Sequence, residues 1–120
     1  MVKTLAKILF KVARQKYAKR LIGWFMTHMS FSLPVNKIKE TRSLFAFHHP
    51  QPSYPLHILI VPKRPYASLM EVPPEDTVLL SDLFTVVQEL VREFHLEDSG
   101  YRLITNGGSY QDVPHLHFHL

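Results

Sequence analysis

The residues with the clearest chemical potential lie together near the end of the chain, in His115-Leu116-His117-Phe118-His119-Leu120. An imidazole has a reference pKa of about 6.5, so near pH 7 it can serve as nucleophile, proton carrier or metal ligand. In an extended strand, side chains alternate between faces. Three rings would then share one face, with Leu116, Phe118 and Leu120 on the other. Same-face neighbours are about 7 Å apart along a strand, close enough for one phosphate group to touch more than one ring. Two chemistries follow. Paired histidines on a strand are good zinc ligands, with Asp112 or His57 available as a fourth. The same rings can also bind and attack phosphorus. The structural alternative, three histidines on an ordinary polar face, must account for strict alternation with apolar residues. An affinity tag would be an unbroken histidine run.

The elements that must position these rings are readable upstream. Residues 43–47 and 57–61 read as strands, the second stopped by Pro62. The three prolines in the intervening segment, Pro50, Pro52 and Pro55, demand a loop. Ser68 and Glu71 have capping-box spacing. After Pro73 and Pro74, the apolar positions Val78, Leu79, Leu83, Val86, Val87, Leu90, Val91 and Phe94 mark one face of a helix over about 77–95. Residues 101–105 read as a strand, Asn106-Gly107-Gly108-Ser109 as a turn, and 115–120 as a final strand. The expected class is α+β: an antiparallel sheet with one long helix covering a face.

The N-terminal third differs in character. Residues 1–39 carry nine Lys or Arg and no acid, whereas 40–120 carry five basic and ten acidic side chains. The formal charge of +4 thus belongs to the first segment and does not describe a nucleic-acid-binding domain. Leu5, Ile8, Leu9 and Val12 predict a basic helix over residues 3–20. Its apolar face would pack on the domain or a partner copy, or lie on an anionic membrane surface. Residues 28–40 read as an irregular connector, giving an extension over 1–40 and a domain over 41–120. No stretch has the roughly 18–20 apolar residues of a membrane span. No secretory signal is evident, and a transit peptide would be richer in Ser. A cytoplasmic location is expected. There is no cysteine, which excludes disulfides and thiolate metal sites. A domain of this size buries only part of its surface, which favours a homodimer.

Three segments in order resemble the histidine triad family. The alternating His115–Leu120 run matches the motif that names it. Leu44-Phe45-Ala46-Phe47-His48 with His57-Ile58-Leu59-Ile60-Val61-Pro62-Lys63 is similar to the early strands of its Hint branch. Gly100-Tyr101-Arg102 with Asn106 to Ser109 looks like that branch's next segment. The resemblance covers about residues 43–120. It implies a nucleotide-binding hydrolase or transferase, phosphoramidase-like, in which His117 attacks an α-phosphate and forms a nucleotidyl-histidine intermediate. It also implies that His119 donates to a phosphate oxygen, that the His115 carbonyl orients the His117 ring, and that His57 stands behind the triad. Asn106, Gly107, Gly108 and Ser109 would bind phosphate, and Phe47, His48 and Leu59 would line the nucleoside pocket. The scheme uses no metal and no cofactor. The alternatives are a nucleotide-binding regulatory protein with little turnover and a histidine-rich metal-binding protein.

The chain departs from that branch at three places. His49 stands where the branch has the Asp that holds the ribose hydroxyls; as a nucleotide-binding residue it can still hydrogen-bond a hydroxyl, but bidentate carboxylate recognition is lost. Asp112 stands where it has a Ser close to the leaving group. Only Leu120 follows His119, and its α-carboxylate is expected to raise the imidazole pKa values.

Overall fold

The computed structural model describes residues 4–5 and 36–120. Apart from Thr4 and Leu5, the helix predicted over 3–20, and with it the suggested membrane contact, lies outside the described residues. Four antiparallel strands form one sheet in sequence order: β1 (Lys37–Glu40), β2 (Leu44–His48), β3 (Ile58–Pro62) and β4 (Phe118–His119). A long helix, α1 (Thr77–Glu93), and a single turn, α2 (Leu96–Ser99), complete the regular structure, with short 3-10 turns at Leu69–Glu71 and Gly108–Tyr110. The class is α+β with one covering helix, as the periodicities predict. Among the described residues no helix is long and apolar enough to cross a membrane.

Strand alternation divides the sheet into two unlike faces. Leu44 and Ala46 of β2, Ile58 and Ile60 of β3 and Phe118 of β4 pack against Leu79, Leu83, Val86, Val87, Leu90 and Val91 of α1. Burying these side chains supplies most of the domain's apolar stabilisation, roughly 1.5–3 kcal/mol for each large one. α1 begins where Asp76 caps it, accepting from the Leu79 amide at 3.2 Å while Tyr66 Oη donates to its other oxygen at 2.5 Å. The helix ends at Phe94, and His95 then takes the left-handed conformation at φ 56°.

Three predicted elements need correction. The end of the expected connector is strand β1, joined to β2 through a register shift between Lys37 and Lys39. Its apolar content is too low to read as a strand. It is held as an edge by Lys39, whose ammonium reaches Glu89 at 2.9 Å and Glu93 on α1. The strand expected over 101–105 reduces to one bridge between Ile104 and His119. β4 is likewise shorter than the predicted 115–120, because the chain before it is tied elsewhere. The Leu116 amide bonds to the Tyr66 carbonyl at 2.8 Å, and Gln111 Nε2 bonds to the Ala67 and Val113 carbonyls. With those donors committed, only Phe118 to Leu120 remain to pair with β3 and Ile104.

Candidate active site

Register alone places the histidines on the sheet face opposite α1. Phe47 pairs with Leu59, and Leu59 pairs with His119, so these three form one cross-strand row. One step along, the His49 amide bonds to the His57 carbonyl at 2.7 Å, which sets His49 opposite His57 in the next row. Directly opposed residues on adjacent strands point to the same side. Imidazoles at 49, 57 and 119 therefore meet although they lie up to 70 positions apart in the chain. The His49 ring stacks on His57 with centroids 4.3 Å apart, and His119 is 5.1 Å from His57. His117 sits edge-on to His119 at 5.1 Å.

The hydrogen bonds assign the protons. His117 Nδ1 lies 2.8 Å from the His115 carbonyl, which can only accept. Neutral His117 thus carries its hydrogen on Nδ1 and presents a lone pair at Nε2. His57 Nδ1 accepts from the Ser53 amide at 3.0 Å, so its hydrogen is on Nε2, 2.9 Å from His119 Nδ1. His49 Nδ1 likewise accepts from the Gln51 amide at 2.9 Å. His119, receiving at Nδ1, keeps its own hydrogen on Nε2.

His115 does not join the other rings, and this corrects the expectation that all three triad imidazoles share a face. It is buried at 1% exposure, and its Nε2 bonds to the Pro62 carbonyl at 2.9 Å. Its contact with His117 is through the backbone. The expected strand face fails here because residue 115 precedes the ladder and the chain is still crossing towards Pro62. His48 also leaves the group. It shares the α1 face and meets Phe94 edge-on at 5.9 Å, away from Phe47 and Leu59. Those two are buried at 1% and lie in the His119 row. Gly107, Gly108 and Ser109 are exposed in the turn leading to the triad segment, with Asn106 half-buried. Gly108 adopts φ +58°, which favours glycine there. Asp112 is exposed. A cavity of about 520 Å³ borders His119, walled by Tyr54, Leu56, Tyr101, Arg102, Ile104 and Leu120.

Burial favours the neutral form of three of the imidazoles, His119, His57 and His115. It pushes His119 down to about 4, helped by neighbouring His117 and His57 and opposed by Asp112. It also lowers His57 and His115. All three rings therefore move down, against the rise expected from the Leu120 carboxylate. The unfolded chain binds protons below about pH 6.5 that folded His119 refuses until about pH 4. The stability this ring contributes is complete above pH 6.5 and lost as pH falls towards 4. Allowing for solvent screening of a half-buried ring, the loss is on the order of 1–2 kcal/mol. Melting curves at pH 7 and pH 4.5 should show it as a lower melting temperature in acid, and this should shrink in His119→Ala. An acid shift of the same size in both proteins would contradict the assignment.

The resemblance puts His49 at a nucleotide-binding position but does not reveal its place in the imidazole cluster. The signal was available: His49 and His57 flank the hairpin loop and pair once β2 and β3 are in register. One ring nitrogen from each of His49, His57 and His119 lies within 4.8 Å of the others. A cation there needs lone pairs, however, and the Gln51 and Ser53 amides already occupy those of His49 and His57 at Nδ1. The opposite nitrogens then carry hydrogens, which suits an anion.

Comparison with known proteins agrees with this architecture. The HIT domain family model matches residues 30–120. A HIT-like protein of Chlamydia pneumoniae is 37% identical over 86 residues, covering 70% of this chain and 77% of the relative. A HIT family hydrolase from Legionella pneumophila superimposes with a TM-score of 0.71 at 31% identity, over 79% of this chain and 87% of that one. A histidine triad nucleotide-binding protein from Candida albicans gives 0.67 at 30% identity, over 82% and 71%.

Proposed function

Because the chain belongs to the HIT domain family, we propose that it is a nucleotide-binding hydrolase or transferase whose His117 attacks the α-phosphate of a nucleotidyl substrate. The observation that carries this reading is the 2.8 Å contact between His117 Nδ1 and the His115 carbonyl. It leaves Nε2 as the nucleophilic nitrogen, directed by a bond the carbonyl can only accept. Nε2 forms a bond to phosphorus, the bond to the leaving group breaks, and the leaving group takes the electron pair together with, for an amine, a proton from solvent. The ring becomes an N-phosphorylated imidazolium whose Nδ1–H still rests on the carbonyl. Water then attacks phosphorus and gives up one proton to solvent, and the N–P bond breaks, its electron pair returning to Nε2 to restore the neutral ring. This divides one hard displacement into two easier ones.

His119 has a different task. Its Nε2–H donates to a non-bridging phosphoryl oxygen, where negative charge grows in the transition state. His49 adds an imidazole in place of a carboxylate beside the cluster, which suits phosphate better than a vicinal diol. Asp112 pulls on the charge of His119 and faces solvent. A carboxylate in that position favours an amine leaving group. The Legionella and Candida proteins, described as a hydrolase and as nucleotide-binding, support the substrate class.

The test is incubation of the protein with adenosine 5′-phosphoramidate or diadenosine polyphosphate, with and without EDTA, followed by acid-free quenching and mass spectrometry. The expected result is a nucleotidyl adduct on His117 and turnover indifferent to chelator. Binding without adduct or turnover would favour the regulatory reading. Activity abolished by EDTA would favour the metal reading and sink this one.

A further inference from the structure

Within the loop between β2 and β3, one backbone amide bears on the chemistry two residues removed from it. We propose that the Ser53 N–H is a positioning group that sets, through His57, which nitrogen of His119 carries the proton. This rests on the role given to His119 above, but its physical content is separate.

A neutral imidazole has two tautomers of similar energy, and its neighbours choose between them. Nothing in the His57–His119 pair makes that choice. The 2.9 Å contact between His57 Nε2 and His119 Nδ1 is satisfied equally well with the hydrogen on either atom. In one arrangement His57 donates, and His119 carries its hydrogen on Nε2, ready to donate to a phosphoryl oxygen. In the other His119 donates, its Nε2 is a lone pair, and it repels that oxygen. The bond that breaks the symmetry comes from outside. The Ser53 amide, 3.0 Å from His57 Nδ1, can only donate. A hydrogen on His57 Nδ1 would face it N–H to N–H. His57 is buried at 6% exposure, so water offers no ready substitute. The order Ser53 N–H, His57 Nδ1, His57 Nε2–H, His119 Nδ1, His119 Nε2–H therefore runs one way.

The loop is constructed to hold that amide. It is closed by the 2.7 Å bond from the His49 amide to the His57 carbonyl. Pro50, Pro52 and Pro55 restrict its backbone. The Ser53 side chain is exposed and is not what acts.

Nitrogen-15 NMR of the histidine rings, which distinguishes Nδ1–H from Nε2–H, is the direct measurement. In the wild-type chain at pH 7, His57 and His119 should both be Nε2–H. Ser53→Pro, which removes the amide hydrogen, should bring a substantial Nδ1–H population to both rings. It should also lower kcat by about 10- to 100-fold with KM little changed, a fraction of the up to about 10⁴-fold that a wrong tautomer can cost. Ser53→Ala keeps the amide and should behave as wild type in both readouts. A wild-type His119 bearing its hydrogen on Nδ1 would overturn the proposal, even if Ser53→Pro fails to fold. Equal effects of Ser53→Ala and Ser53→Pro would do the same. The NMR needs no substrate, so a chain inactive on every nucleotide would count against the proposed function and not against this assignment.

Discussion

The His117→Gly variant is expected to lose turnover by on the order of 10⁵-fold or more, the scale seen when the nucleophile of a covalent mechanism is removed. Its stability should hardly change. The ring is half-buried, and it bonds to the His115 carbonyl, a contact whose net worth is about 1 kcal/mol. Large loss of rate with little loss of stability separates a reacting group from a structural one. The adduct seen by mass spectrometry should disappear with the ring. Added imidazole should restore part of the rate, because the vacated space still faces His119 and the carbonyl that directs the ring. Turnover within tenfold of wild type in a well-folded His117→Gly protein would remove the covalent scheme altogether.

His119→Ala should reduce kcat by about 10²- to 10³-fold, the usual cost of losing one preorganised donor to a developing oxyanion. The adduct should still form, more slowly, since the nucleophile is intact. This variant also carries a stability cost that His117→Gly does not. His57 is buried and gives its Nε2–H to His119 at 2.9 Å. With that acceptor gone, a buried donor is left unsatisfied, at about 1–3 kcal/mol. His119→Ala is therefore expected to melt below both wild type and His117→Gly. Circular dichroism melts of the three proteins at pH 7 test the ordering. A His119→Ala protein as stable as wild type would mean that the His57 contact contributes nothing.

The parts of this molecule that were readable from its residues are those governed by short periods. The α1 helix declared itself through apolar residues from Val78 to Phe94, and β2 and β3 through dense β-branched and aromatic runs ended by prolines. The His-apolar alternation locates the segment that carries His117 and His119. What alternation could not convey was where the ladder begins. The rule that places 115, 117 and 119 on one face holds only inside a paired strand. The Leu116 amide is claimed by Tyr66, so His115 turns to Pro62 instead. The imidazole that takes its place beside His119 comes from residue 57, with residue 49 behind it, a grouping set by register between distant strands. Strand β1 was hidden for another reason. Lys37, Lys39 and Glu40 have low strand propensity, and the edge is secured by ion pairs with Glu89 and Glu93 on α1. The single bridge at Ile104 could not be foreseen either, since nothing in Tyr101 to Thr105 reports how little of its neighbour remains free to pair.

The late start of β4 has a mechanical consequence. His119 is clamped on both sides, its amide and carbonyl bonded to Ile104 and its neighbour Leu120 to Ile58. His117 stands just outside that lattice, its carbonyl steadied by the Thr105 hydroxyl at 2.8 Å. Attack requires the nitrogen to travel from about 3–3.5 Å away to bonding distance. On the proposed mechanism, the ring bound into the ladder is the one that holds charge in place, and the ring outside it is the one that bonds to phosphorus.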